Sequence, residues 1–319
     1  MFTHLLVVAL ALWPSPAAYA SDECVRCPWC LRELAPGADE CLDAGRDRVG
    51  QHWDIDGKYG VAPRHVWRCP RVGGVYFADP VATSAELARL YAHYHGAAPS
   101  PFLAIRAKSQ AMYLKRFLPQ SAGRTVVEIG CASGKLLAEL ASQRLVSNVV
   151  CFEQSGEAKA AEQAVRAAGA RSVKVVQSLW NASSDDLSDG FDLFVSSHAL
   201  EHTPDLCEFL AQVYRALRPG GKFFSEIPNT TDEYVKWQVK YPHPRRSGAM
   251  DFHITHLTPR GLTAYMEATG FQLVDMETVN TNPQHTVANG IRFVWFKPRH
   301  PPTRAADVPS NADYRPFFG

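Results

Sequence analysis

The sequence predicts an α/β protein, a doubly wound and mostly parallel sheet of about seven strands preceded by a small cysteine-rich module. Three observations carry this expectation. Residues 126–137 read Val-Val-Glu-Ile-Gly-Cys-Ala-Ser-Gly-Lys-Leu-Leu, a β-branched run that turns on glycines into an apolar helix. Between residues 121 and 298, short β-branched runs alternate with stretches of helical apolar spacing. Five of the eight cysteines precede residue 70.

The 319 residues, 46% of them hydrophobic, suffice for one substantial core and an appended module. A formal net charge of +1 gives no global field for nucleic acid or an anionic membrane, and no nucleic-acid partner is indicated. Residues 5–13 are apolar and Ala18-Tyr19-Ala20 has the small residues of a cleavage site, yet the preceding residues hold no Lys or Arg. Residues 1–20 therefore fit a secretory signal, an organelle-targeting remnant or a mis-assigned start. No membrane span is expected in the mature chain.

Residues 21–82 form the predicted module. Cys24-x2-Cys27-x2-Cys30 sets thiolates at knuckle spacing, where a turn can aim two sulfurs at one tetrahedral ion. Candidate ligands of a structural zinc are Cys27, Cys30 and Cys69, with Cys24 or Cys41 as the fourth; His52 and His65 are further substitutes. Failing metal, the module holds by packing or by disulfides. Residues 83–120 read as a helical connector. Thr83-x-x-Glu86 is a capping box, and Pro101 opens a second helix with Phe102, Ile105, Met112, Phe117 and Leu118 apolar.

Residues 121–298 carry the chemistry. The turn is one residue short of a phosphate-binding loop, and Leu136 replaces its magnesium-binding hydroxyl. Ala132 and Lys135 stand where a dinucleotide fingerprint needs glycine. What remains is acidic-x-Gly-x-Gly/Ala-x-Gly, carried by Glu128, Gly130, Ala132 and Gly134. Strands are predicted at 148–152 and 172–176 around a helix at 156–168. Glu153, about twenty residues beyond the turn, is placed to accept ribose hydroxyls, or else to favour a helix N-terminus. Gly190-Phe-Asp-Leu-Phe-Val-Ser-Ser-His-Ala-Leu-Glu-His then leads to Thr203-Pro204-Asp205, read as an N-cap and first-turn proline, and to a helix through Leu217. Arg218-Pro-Gly-Gly ends it, and residues 222–227 form a further strand. Thr258-Pro259 starts another helix that Gly270 ends, and residues 271–279 and 291–296 finish the sheet. Residues 229–257 lack periodicity and are rich in aromatics, His and Arg, as a substrate cap would be. The tail, 299–319, reads as flexible.

These three ordered motifs, at 125–137, 190–202 and 217–221, resemble those of the class I S-adenosylmethionine-dependent methyltransferases, of Rossmann-like fold. Residues 27–94 similarly resemble a small zinc-binding module found before many bacterial methyltransferase domains, although Val72 fills its fourth cysteine position. The resemblance implies an enzyme that methylates a small-molecule acceptor with S-adenosyl-L-methionine. It implies cofactor contacts from Glu128, Gly130, Cys131, Ala132, Gly134, Glu153, Gln154, Gln177, Ser197 and His198. The histidines His198, His253 and His256 are candidates to take a proton from the acceptor. His198 and His202 need no metal to explain them. Such a cofactor and unpaired cysteines suit the cytoplasm; export or an organelle is the alternative if residues 1–20 are a targeting signal. The competing reading is a catalytically degenerate scaffold of the same fold. Acceptor and oligomeric state are not fixed by the sequence.

Overall fold

The computed structural model describes residues 48–52, 64–68, 75–79, 101–118, 123–178, 180, 190–203, 205–230, 253–280 and 290–299. Residues 1–20, the five N-terminal cysteines, Val72, the capping box at Thr83, most of the predicted cap and the tail lie outside them. In chain order the elements are β1 (Arg48–His52), β2 (Arg64–Arg68), β3 (Val75–Asp79), α1 (Pro101–Lys115), β4 (Thr125–Ile129), α2 (Lys135–Ser142), β5 (Asn148–Phe152), α3 (Ala158–Ala167) and β6 (Ser172–Val176). There follow β7 (Phe191–Ser197), a 3₁₀ turn at Leu200–His202, α4 (Leu206–Ala216), β8 (Leu217–Pro228), β9 (Thr255–Leu257), α5 (Pro259–Thr269), β10 (Gln272–Val279) and β11 (Gly290–Phe296).

The main sheet has seven strands in the order β10-β11-β8-β7-β4-β5-β6. Neighbours from β8 to β6 run parallel, whereas β11 enters antiparallel between β8 and β10. This is the doubly wound, Rossmann-like sheet expected from the sequence. Chain order reverses at β4, with β5 on one side and β7 on the other, and such switch points open a crevice beyond the strand ends. Ile129 lies opposite both Phe152 and Ser196, so the three strands end nearly level there.

Alternation along the strands fills two layers. Phe194, Phe223, Phe293 and Trp295 point to one face, packed by Leu210 and Val213 of α4 and Leu262 and Met266 of α5. Val126, Val149, Leu193, Val195 and Phe224 point to the other, under Ala111 and Leu114 of α1, Leu137 and Leu140 of α2 and Val165 of α3. The sequence misjudged the buried face of α1. Ile105 and Met112 are 61% and 62% exposed, while Ala107, Gln110, Ala111 and Tyr113 are buried. Small residues at 107 and 111 let the helix lie close to α2, so the contact face is not the one with the largest apolar side chains.

Helix ends follow cap chemistry. Asp205, not Thr203, caps α4 and accepts from the Glu208 N–H at 2.9 Å. Thr258 caps α5 as expected, and Gly270 ends it at φ +100°. The second helix stops at Ser142 rather than near Leu145, because Arg144 takes the left-handed closing position usually given to glycine. Leu145 and Arg144 N–H then donate back to the Leu140 and Ala141 carbonyls. Cys131 and Cys151 form a disulfide with Cα atoms 6.1 Å apart, so the expectation of unpaired cysteines fails for these two.

A second, antiparallel sheet joins β1, β2, β3 and β9 in that order. It ties residues 75–77 to 255–257 through backbone pairing.

Gly134 gives the packing its sharpest test. At φ +71°, a Cβ there would lie 2.9 Å from the Ala161 Cα and 3.0 Å from its carbonyl oxygen, both backbone atoms of α3. Gly134→Ala is therefore expected to destabilise the fold by at least about 1–2 kcal/mol, the left-handed strain alone. Gly169→Ala, with φ +93° and open space around it, should carry that strain and no more. Urea midpoints of the two variants measure the difference.

Candidate active site

The turn after β4 is built from left-handed residues, Gly130 at φ +63°, Ala132 at φ +44° and Gly134 at φ +71°. Gly130 N–H donates to the Phe152 carbonyl at 2.8 Å, and Gly134 N–H to the Cys131 carbonyl at 2.8 Å. These internal bonds fix the left-handed turn, and its small residues let a ligand approach the backbone without side chains in between. A Cβ on Gly130 would be 3.5 Å from the Ala199 Cβ, so the turn lies against the segment that follows β7.

Glu153 closes the other side. One carboxylate oxygen accepts from Ala132 N–H at 2.6 Å and the other from Ser155 N–H at 2.7 Å. Each oxygen retains a lone pair, so the carboxylate can still receive a diol. Glu128 is 3% exposed, and its Oε2 accepts no hydrogen bond among the described residues. Burial pushes its carboxyl up to about 8, with Glu153 adding and Arg106 opposing.

Residue by residue, the structure gathers some of the sequence candidates and separates others. Glu128, Gly130, Ala132, Gly134 and Glu153 converge at the turn. Gln154 follows Glu153, with a buried Oε1 that accepts no hydrogen bond among the described residues. Ser197 ends β7 and accepts from the Gln110 amide of α1 at 2.8 Å. Cys131, by contrast, turns its sulfur into the core toward Cys151 and offers the site only its backbone. Gln177 is exposed beyond the end of β6.

His198 sits in the left-handed region at φ +54°, a strained position for a side chain of its size. Its N–H donates to the Glu226 carbonyl at 2.8 Å. The ring is held from both ends, with Nε2 3.2 Å from Glu226 Oε1 and Nδ1 3.3 Å from Glu201 Oε1. Burial lowers its proton affinity, but these two carboxylate bonds outweigh burial and raise it. A base needs a lone pair directed at its substrate, and neither nitrogen of this ring has one to spare. To take a proton from an acceptor, as the sequence suggests, the ring would have to release one of these two carboxylates.

Sequence reasoning missed the groups that hold this ring. Glu226 is fully buried on β8; its other oxygen pairs with Arg292 of β11, which also donates to Ser109 of α1 at 2.9 Å. Burial acts to raise the Glu226 carboxyl, but His198 and Arg292 hold it down to about 2. Glu201, 2% exposed, lies in the 3₁₀ turn. His253 approaches it from the segment before β9, with Nε2 3.9 Å from Glu201 Oε1. Ring centroids of His253 lie 4.9 Å from His202 and 5.8 Å from His256. His256 itself is 3% exposed on β9, away from open solvent.

A sequence family described as "Methyltransferase domain" matches residues 102–276. Over 165 residues the chain is 28% identical to a Mycolicibacterium smegmatis protein named "Probable S-adenosylmethionine-dependent methyltransferase", covering 50% of this chain and 57% of that one. Over 119 residues it is 32% identical to trans-aconitate 2-methyltransferase of Deinococcus radiodurans, covering 37% and 43%. The matched stretch thus spans about half the length of these two relatives. Among solved structures, the N-methyltransferase NodS of Bradyrhizobium japonicum, in complex with S-adenosyl-L-homocysteine, gives a TM-score of 0.46 at 17% identity, over 63% of this chain and 89% of that one.

The raised Glu128 carboxyl has a signed consequence. In the unfolded chain it ionises near its ordinary 4.5, in the folded chain only near 8, so the folded state binds more protons between these values. The Glu128 contribution is complete below pH about 4.5 and is lost as pH rises to about 8. Glu128→Gln should therefore gain stability over the parent steadily across that window. Urea midpoints measured from pH 5 to pH 8 (approximate bounds of the same window) check it; parallel curves would contradict a buried, protonated Glu128.

Proposed function

The chain belongs to the methyltransferase-domain family, and from that premise we propose that it transfers a methyl group from S-adenosyl-L-methionine to a small-molecule acceptor. The observation that carries this reading is the turn at 130–134 with Glu128 and Glu153 on either side, a left-handed, small-residue cradle flanked by two buried carboxyl groups. Those groups fit the ligand. Glu153 suits a ribose diol, and the unpartnered Glu128 oxygen suits an ammonium or hydroxyl donor. Gly130, Ala132 and Gly134 leave room for a backbone approach, and Gln154, Ser197 and His198 complete the wall. Bound there, the cofactor supplies an electrophilic methyl on a sulfonium.

The protein's own part is largely positional. Alignment of acceptor and methyl, with water excluded, accounts for most of the acceleration such a transfer needs. Gln110 anchors α1 to Ser197 and so holds a helix over the site. His198 serves as a fixed ring at the edge of the site, with Glu226 and Glu201 keeping it in place. Preparation of the acceptor is assigned to the Glu201–His202–His253 wall. The trans-aconitate enzyme named above supports a small organic acceptor as the class. Zinc in the cysteine module, from Cys27, Cys30 and Cys69, remains part of the proposal as a structural ion only.

Calorimetric titration of S-adenosyl-L-methionine into the full chain tests the reading. Saturable binding is expected. Gly130→Arg should abolish it, and Glu153→Gln should weaken it about 10-fold or more, the worth of a hydrogen bond to a charged group. No heat with well-folded parent protein would overturn the methyltransferase reading and favour a scaffold of the same fold.

A further inference from the structure

Beside the cradle, three side chains from two chain segments converge without a role in holding the cofactor. One carboxylate oxygen of Glu201 and one ring nitrogen each of His202 and His253 lie within 4.8 Å of one another. We propose that Glu201, His202 and His253 bind one divalent transition-metal ion, and that this ion takes the oxygen of the methyl acceptor.

The first argument is the donor set. Two imidazoles and one carboxylate form a borderline nitrogen–oxygen site suited to zinc or iron(II), and three protein ligands leave coordination positions open. Ligand atoms around a tetrahedral ion at zinc–nitrogen distances stand about 3.3 Å apart. The His253 Nε2–Glu201 Oε1 separation of 3.9 Å is already close to that, and the widest pair needs to contract by about 1.5 Å. Rotation of the two partly buried rings about their side-chain bonds is the contraction the ion requires.

The second argument is independent of the first. The Glu201 side chain is only 3% exposed, yet its Oε2 accepts no hydrogen bond among the described residues. A buried carboxylate oxygen without a donor is costly, and a cation beside it removes the cost. His198 Nδ1 approaches Oε1, the oxygen that also faces His253 Nε2, at 3.3 Å, and as an outer-shell group it orients the carboxylate while Oε2 is left for the ion. The backbone adds rigidity, because Ile254 N–H donates to the Glu201 carbonyl at 2.8 Å and locks the two ligand-bearing segments together.

The position fits the chemistry. Glu201 is three residues beyond His198, and Ala199 in between lies against Gly130 of the cradle. An ion here meets an acceptor hydroxyl or enol at the methyl end of the site. As a Lewis acid it lowers the oxygen's pKa, and the proton leaves to water. The oxygen's electron pair then forms the bond to the methyl carbon as the carbon–sulfur bond breaks, its electrons staying on sulfur. The acceptor class is accordingly an oxygen nucleophile, best with a second oxygen able to chelate. This role rests on the methyltransferase reading; the metal site itself does not.

The test is a cobalt(II) titration of metal-stripped, tag-free full chain, followed by visible absorption. Cobalt on nitrogen and oxygen gives ligand-field bands without the intense thiolate charge-transfer band that the N-terminal cysteines would give. One equivalent with ligand-field bands and no thiolate charge transfer is expected at this site, counted apart from any thiolate-bound cobalt in the cysteine module. Removing an outer-shell partner of a metal ligand already costs 10–100-fold in affinity, so His202→Ala and His253→Ala should each lose on the order of 100-fold or more. Glu201→Gln, nearly isosteric, should lose affinity with its thermal melt preserved. No equivalent beyond the thiolate-bound one in folded protein, or an unchanged cobalt stoichiometry and band set in the His202→Ala/His253→Ala double variant, would overturn the site. S-adenosyl-L-methionine binding measured on the same samples separates the two readings. Retained cofactor binding without cobalt sinks only the metal site, and the reverse sinks only the methyltransferase.

Discussion

The Glu226 carboxylate is the interaction on which the active edge depends. It is fully buried, and each of its oxygens has one task, His198 at the end of β7 and Arg292 on β11. Arg292 is 2% exposed and extends the link to Ser109 on α1 and Glu277 on β10. One carboxylate therefore joins elements far apart in sequence. Two charges so deep are costly to desolvate, and the arrangement is tolerable only because nearly every polar atom in it is matched. Losing either partner would leave the other charged, buried and alone. The left-handed backbone at His198 depends on this as well, since its strain persists only while both ring nitrogens and its N–H are held.

The antiparallel strand β11 delivers that partner. Arg292 lies directly across from Glu226 in the β8–β11 register. Cross-strand neighbours are the shortest way to bring a cation to a carboxylate inside a sheet. The strand next to the sheet's β10 edge thus supplies the charge that keeps the cradle's neighbour in place.

Much of the cradle was legible in the sequence because its chemistry is local. Gly130, Ala132 and Gly134 must be small to take left-handed turns, and Glu128 and Glu153 sit at fixed offsets from them. The Glu226–Arg292 pair was not legible. A lone charge within Lys-Phe-Phe-Ser-Glu-Ile or Ile-Arg-Phe-Val-Trp reads as one solvated strand face, and only long-range pairing reveals that both face inward. The same blindness misled the reading of α1, where Ile105 and Met112 looked like the core. Close approach to α2 rewarded the small Ala107 and Ala111 instead. Arg144 hid a helix end for a related reason, since no residue type announces a left-handed closure when glycine is absent.

The N-terminal strands gain a part in the chemistry through β9. Residues 253–257 are held on one side by the Ile254–Glu201 bond and on the other by β3, where Tyr76 pairs with His256 and Phe77 with Thr255. A three-residue strand has too few hydrogen bonds to persist on its own, and it needs a neighbour on its open edge. The segment carrying His253 is therefore braced from outside the main sheet, by a strand from the half of the chain that the sequence marks as an appendage. The position of His253 relative to Glu201 becomes a property of both sheets together. An appendage in sequence is, by this pairing, the outer support of the segment that carries His253.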